Sequence, residues 1–410
     1  MEVFVARNPI FDAGKVVHGY ELKFKSGFDT YYNALCEDNE SAKTNVDFMA
    51  FVNYGELTNN RPGLVNFSQS LLMRDFPKLL PKEKLNVGIE IPQSQCPQDF
   101  FDKCSALSKN GYSLVLNNVT LDNIDTPLIT LAKFAKIDFS KVPHDDQKKI
   151  LQILAEEKIK AIAYNLQAIS DSTQALKWGY HFFHGEFFSQ PALDTDQDLK
   201  NSKLAYFHIL QEVNRPELSY DQIARIIKHD VALTYKLLRF INSAWFGLKY
   251  EIRSIKHALI LLGPKEIKKW AALVAMSNTG IDKPKELLLR ALTRARTAEQ
   301  IALQLDMSKQ APEFFLMGMF SLIDALTDTP MEKALEKIPL NERITDTLLG
   351  HKTETYHQVY EVMIAYESAD WNQLTELANQ LGIDDILFPK FFREAWNWAT
   401  NALRELGQIQ

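Results

Sequence analysis

Near residue 200 the chain changes period. Before that point short β-rich runs alternate with amphipathic helical stretches, and beyond it apolar residues recur at helical spacing almost throughout. A chain that switches rule in this way predicts two units, an α/β one followed by an all-α one. The strand candidates of the first half are residues 16–24, 63–68, 85–91, 112–119, 134–138, 160–166 and 180–185, with helical stretches such as 71–80, 98–109 and 147–157 between them. Strands separated by helical spacers pair in parallel. This many short strands in under half the chain suggest a TIM-like (β/α)8 barrel better than an open sheet. Each run also carries a polar residue towards its end: Glu21, Asn66, Glu90, Asn117, Asp138, Tyr164 and His184. A barrel of this kind gathers such residues at its C-terminal mouth, where its sites are built.

The stretch 193–202 (LDTDQDLKNS) is polar and acidic and reads as a linker, which sets the expected division at 1–192, 193–202 and 203–405. Beyond it, Ser219 and Gln222 are spaced as a capping pair, and Leu233, Leu237 and Ile241 share a helix face. Gly263 followed by Pro264 spells a helix stop and a new start. Further helices are expected at 286–305, 313–326, 341–349, 355–366 and 371–381.

Composition narrows the class. With 46% hydrophobic and 24% charged residues, and 16 each of Gly and Pro, the chain is neither collagen-like nor a low-complexity polymer. A net charge of −6 argues against general nucleic-acid binding. The apolar runs are too short to span a bilayer, and Glu2, Arg7 and Asp12 interrupt any secretory signal pattern, so a cytoplasmic protein is expected. The three cysteines, Cys36, Cys96 and Cys104, lack metal or disulfide-framework spacing.

The opening VARNPIFDAGKVVHGYELKFKSG, LVNFS around Asn66, GIEIPQS around Glu90 and AKIDFS around Lys136 and Asp138 stand in an ordered series. In that order they resemble the EAL domain, with Glu21-Leu22-Lys23 at the signature tripeptide. The resemblance implies a barrel that hydrolyses cyclic di-GMP with two Mg²⁺ or Mn²⁺ ions. Such hard cations need an oxygen-rich, anionic cluster, and the chain departs from the family there. The family's Asp-Asp-Phe-Gly is Asn117-Asn118-Val119-Thr120, and its Ala-Glu-Gly-Val-Glu is Ala163-Tyr164-Asn165-Leu166-Gln167. Gln93 replaces a Glu, His184 a Gln, and Lys25 the signature arginine. A phenol of ordinary pKa near 10 cannot serve as general base near pH 7. The expectation is therefore a non-catalytic barrel without metal cofactor, in which Glu21, Asn66, Glu90, Asn117, Lys136, Asp138, Tyr164 and His184 are vestigial. The alternatives are a cyclic di-GMP phosphodiesterase with an unusual Mg or Mn site, or a cyclic di-GMP receptor. In the receptor, Lys25, Lys136, His184, Phe187 and Phe188 are the groups to grip phosphate or stack on a base.

Residues 228–263, KHDVALTYKLLRFINSAWFGLKYEIRSIKHALILLG, resemble the HDOD domain, with Val231 at the usual proline and Asn242-Ser243 at the Asn-Ser pair. In FFLMGMFSLIDAL (314–326), Ser321-Leu322 stand where HD hydrolases carry their metal-binding His-Asp. His229-Asp230 reads as a helix junction with Asp230 as N-cap. Arg290, Arg294, Arg296, Lys265, Lys268 and Lys269 could form a basic surface. The aromatic-rich piece 388–398 either packs on the helical core or, with Phe392 or Trp396 as anchor, docks on the other domain. Together the resemblances imply an EAL–HDOD signalling protein. They imply protein partners through the HDOD half, weak cyclic di-GMP binding at most, and a possible dimer.

Overall fold

The strand that alternation does not announce opens the fold. In the computed structural model, β1 (Val5–Asp12) is followed by β2 (Val17–Phe24), β3 (Gly63–Phe67), β4 (Leu85–Glu90), β5 (Ser113–Asn117), β6 (Phe134–Asp138), β7 (Lys160–Leu166) and β8 (Phe182–Gly185). They form a closed barrel in chain order. β2 to β8 run parallel, whereas β1 is antiparallel to both neighbours, β2 and β8. The fold is thus a (β/α)8-type barrel closed by a reversed first strand. A tight turn makes the reversal: Lys15 adopts a left-handed φ of 60°, its amide donates to the Asp12 carbonyl, and the Asp12 carboxylate accepts from the Val16 amide. The structure describes residues 4–25, 54–92, 96–192, 209–213, 215, 218–229, 231–242, 252–279, 283–336, 338, 340–352 and 354–408. Cys36, Gln93, the 193–202 linker, Asp230 and Ser243 lie outside them. The chain divides into two compact units, one holding Met1–Gln190 and the other nearly all of the chain from Pro191.

Ile10, Leu64, Val115, Phe134, Ile162 and Phe182, from six strands, pack together as one apolar cluster. At about 1.5–3 kcal/mol for each large apolar side chain buried, this cluster is a main source of barrel stability. Outside, the helix Gln98–Lys109 buries Phe100, Cys104 and Leu107, and His144–Glu156 buries Ile150 and Leu154. Gln147 from the second helix is wholly buried because its amide donates to the carbonyls of Phe139 and Val142 and accepts from the Tyr180 hydroxyl. Phe187 and Phe188 are not free to stack on a ligand: both are buried, with ring centroids 5.6 and 4.9 Å from that of Phe11.

The second unit is helical in every described element. Its centre is Lys285–Gln304, which is buried on nearly all sides. That position corrects the basic-surface expectation. Arg290 and Arg294 are 7% and 5% exposed, and Lys269 and Arg296 are both paired with the buried Glu299. The helix Ala311–Phe320 crosses Lys285–Gln304 so closely that a Cβ on Gly318 would stand 2.5 Å from backbone atoms of Arg294 and Ala295. Instead of one helix over 313–326, the chain breaks after Phe320, where the Ser321 hydroxyl turns back to the Gly318 carbonyl, and resumes as Ile323–Thr327. Gly263, at φ 69° and ψ 171°, leaves the helical conformation between Ile255 and Thr279, the stop and new start expected at Gly263-Pro264. The aromatic-rich segment lies in the helix Phe388–Glu405 and fills its own unit's core. Phe392 stacks on Tyr366 at 3.7 Å and Trp398 meets Phe315 edge-on, so Phe392 is not available as a docking anchor.

Candidate functional site

The parallel register lines up the strand ends and so gathers the expected mouth residues. Glu21 pairs across the sheet towards β3, Glu90 stands opposite Asn117, and Asp138 stands opposite Tyr164. At the centre is Glu21, only 1% exposed. Its Oε1 accepts from Lys136 Nζ at 2.5 Å and from Asn66 Nδ2 at 2.9 Å. Asn117 Nδ2 in turn donates to Asn66 Oδ1 at 2.9 Å, which leaves Asn117 Oδ1 buried without a partner. Room for this amide pair comes from Gly88, where a Cβ would fall 2.1 Å from Asn66 Oδ1. His184 Nε2 is 3.1 Å from Glu21 Oε2, near enough for attraction though too poorly aligned for a hydrogen bond.

Burial pushes the Glu21 carboxyl up, but the Lys136 ammonium beside it holds it well below the usual carboxylate range. Burial likewise keeps the His184 imidazole neutral by lowering its pKa, with Glu21 opposing. Tyr164 lies over this group: Lys136 Nζ is 4.0 Å from its ring centroid, and the His184 ring is 5.2 Å away. Burial and the negative Glu21, Asp138 and Glu90 raise the phenol further above its ordinary value, so it carries no charge at neutral pH.

The remaining expected residues sit around this centre. Glu90, exposed, accepts from Asn118 Nδ2 at 3.0 Å. Asp138 Oδ1 accepts from the Ser140 amide and hydroxyl and the Lys141 amide, with Asn165 Nδ2 at 3.4 Å. Lys25 places its ammonium 4.3 Å over the Phe4 ring. Sequence reasoning missed the supporting roles of Ser140 and Gly88. Their only signal is small size beside a motif residue.

The residues present do not fit a centre of two hard dications. Glu21 is already neutralised by Lys136, its neighbours Asn66 and Asn117 are amides that bring no negative charge, and the Asp138 carboxylate is taken up by Ser140 and Lys141. Among the described residues no three His, Cys, Asp or Glu come together as metal ligands. In the helical unit, the Ser321 hydroxyl at the HD position accepts from Arg294 Nη1 at 3.1 Å, so a buried guanidinium stands there. Among the described residues no helix is long and apolar enough to cross a membrane.

Comparison with known proteins finds an HDOD match and relatives that span the chain. The HDOD domain model matches residues 203–342. The chain is 30% identical over 415 residues to the uncharacterized protein YuxH of Bacillus subtilis, covering 98% of this chain and 99% of that protein. It is 28% identical over 408 residues to a Vibrio cholerae protein named cyclic di-GMP phosphodiesterase CdgJ, covering 98% and 93%. Among solved structures, the Bacillus subtilis YkuI protein, which has an EAL domain and is in complex with cyclic di-GMP and calcium, aligns over 56% of this chain and 72% of its own. The identity is 14% and the TM-score 0.36.

Proposed function

The chain belongs to the EAL–HDOD family, and on that footing we propose that it is a non-catalytic member of the cyclic di-GMP signalling network. Its barrel is a degenerate EAL domain, and its HDOD unit engages protein partners. The observation that carries this reading is the fate of the Glu21 carboxylate, which is spent on Lys136 beneath the neutral ring of Tyr164. Phosphodiester hydrolysis requires a nucleophilic water, a base to deprotonate it and charge to stabilise the phosphoryl oxygens. With Tyr164 at the base position and amides at 117 and 118, none of these parts is supplied in the arrangement the reaction needs. The partner role of the HDOD unit rests on its helices being packed as a solid core, with Ser321 and Arg294 where a metal centre would stand.

The competing reading, a phosphodiesterase with an unusual Mg or Mn site, draws support from the retained Glu21, Asn66 and Glu90 and from the name of the Vibrio cholerae relative. One assay separates the two. Purified full-length protein with Mg²⁺ or Mn²⁺ is expected to release no linear dinucleotide from cyclic di-GMP above background. Steady product formation that Glu21→Ala abolishes would overturn the non-catalytic reading.

A further inference from the structure

The Tyr164 side chain does more than leave a base position empty. β7 delivers it directly across from Asp138, and its ring faces both Lys136 Nζ, 4.0 Å from the centroid, and the His184 ring, tilted by 35° at 5.2 Å. Beneath it Glu21, Lys136 and His184 are 1%, 6% and 3% exposed, while Tyr164 itself is half-buried and forms the outer layer. Lys136 is the cation at the centre of this group, and it is doubly engaged, by the Glu21 carboxylate and by the electron-rich face of the ring. A phosphate approaching the mouth would have to displace the ring before it could reach the ammonium. It would also meet the negative charge of Glu90, exposed at the same mouth, before reaching the ammonium.

We propose that Tyr164 is the residue that decides what the mouth admits: it is a built-in cover over Lys136 that closes the barrel to anionic phosphodiesters such as cyclic di-GMP. The inference deepens the non-catalytic reading, on which it rests, and it concerns binding rather than turnover. If Tyr164 were only filler for a lost carboxylate, trimming it would change stability but not the reach of Lys136.

The experiment uses the full-length chain as wild type, Tyr164→Phe, Tyr164→Ala and Tyr164→Ala/Lys136→Met, with Tyr164→Val in reserve should the alanine variant not fold. Folding is checked by thermal melting. Two quantities are read: the rate of reductive methylation of Lys136 by mass spectrometry, and calorimetric binding of cyclic di-GMP. Wild type and Tyr164→Phe, which keeps the ring, should protect Lys136 and bind no dinucleotide. In Tyr164→Ala the lysine should react at least about tenfold faster, and cyclic di-GMP should bind at least about tenfold more tightly than to wild type, a difference of about 1.4 kcal/mol. The binding should vanish again in the double variant. Unchanged Lys136 protection in a folded Tyr164→Ala or Tyr164→Val protein overturns the cover, as does equal cyclic di-GMP affinity of wild type and variant. Neither result bears on hydrolysis, so failure here and failure of the non-catalytic reading are separate.

Discussion

Lys136→Met removes one charge from a pair in which Glu21 is 1% and Lys136 6% exposed, and it leaves a similar volume behind. Stranding one partner of a buried pair costs about 3–5 kcal/mol, against ~0–1 kcal/mol for a surface pair. The stranded carboxylate has one escape, which is to take up a proton. At pH 7 this costs about 1.36 kcal/mol for each of the ~2.7 pH units above the ordinary glutamic acid pKa of about 4.3, hence ~3.7 kcal/mol. At pH 5 the same escape costs only about 1 kcal/mol. The variant should therefore lose about 4 kcal/mol of barrel stability at pH 7 and ~1–2 kcal/mol at pH 5, the Asn66 amide remaining in place throughout. Urea unfolding at the two pH values, read by hydrogen exchange of peptides from β6 and β7, measures both. Adding Glu21→Gln removes the stranded charge and should recover most of the loss at pH 7. A loss below about 1 kcal/mol at pH 7, or one that does not change with pH, would refute the view that Lys136 is the internal counter-charge of Glu21.

The other expectations concern pH and packing. Burial depresses the pKa of His184, and also of His18 and His181, so each stays neutral in the fold below the ~6.5 at which the unfolded chain begins to bind protons. Stability from these groups is full above about pH 6.5 and is lost as pH falls towards their lowered values. His184→Gln should flatten part of that fall in a melting series from pH 7.5 to 5.5, and an unaltered slope would contradict it. Gly318→Ala places a methyl 2.5 Å from the Arg294 and Ala295 backbone and should cost the helical unit about 1–3 kcal/mol or more, with the exchange of barrel peptides unchanged.

Much of this was legible in the residues. Seven of the eight strands, the helical second half and the helix break at Gly263 follow from periodicity and from glycine and proline placement. β1 escaped because VARNPIFD mixes Pro9, Arg7 and Asn8 into its apolar residues and is set in the sheet by a turn rather than by alternation. The mouth residues were visible as an ordered series of motifs, but the bond between Glu21 and Lys136 joins residues far apart in the chain, which no local pattern reports. The basic surface failed for a related reason. Along LLLRALTRARTAEQ the arginines have the spacing of a solvated face, yet the helix runs through the middle of its unit, and burial around a helix is decided by its neighbours. For the segment 388–398 the first alternative, packing on the helical core, holds for Phe392.

The seam that closes the barrel has a consequence for how the protein is made. Ile10, Phe11 and Asp12 pair with His184, Phe183 and Phe182, roughly 170 residues later. At synthesis rates of about 5–20 residues per second, the ribosome takes on the order of ten to forty seconds to deliver the partner of the first strand. For that interval β1 has β2 on one side and an open edge on the other, with Phe11 uncovered, and an edge of this kind invites pairing with other chains. Until β8 is made, that edge of β1 is where a nascent barrel is most exposed to mispairing.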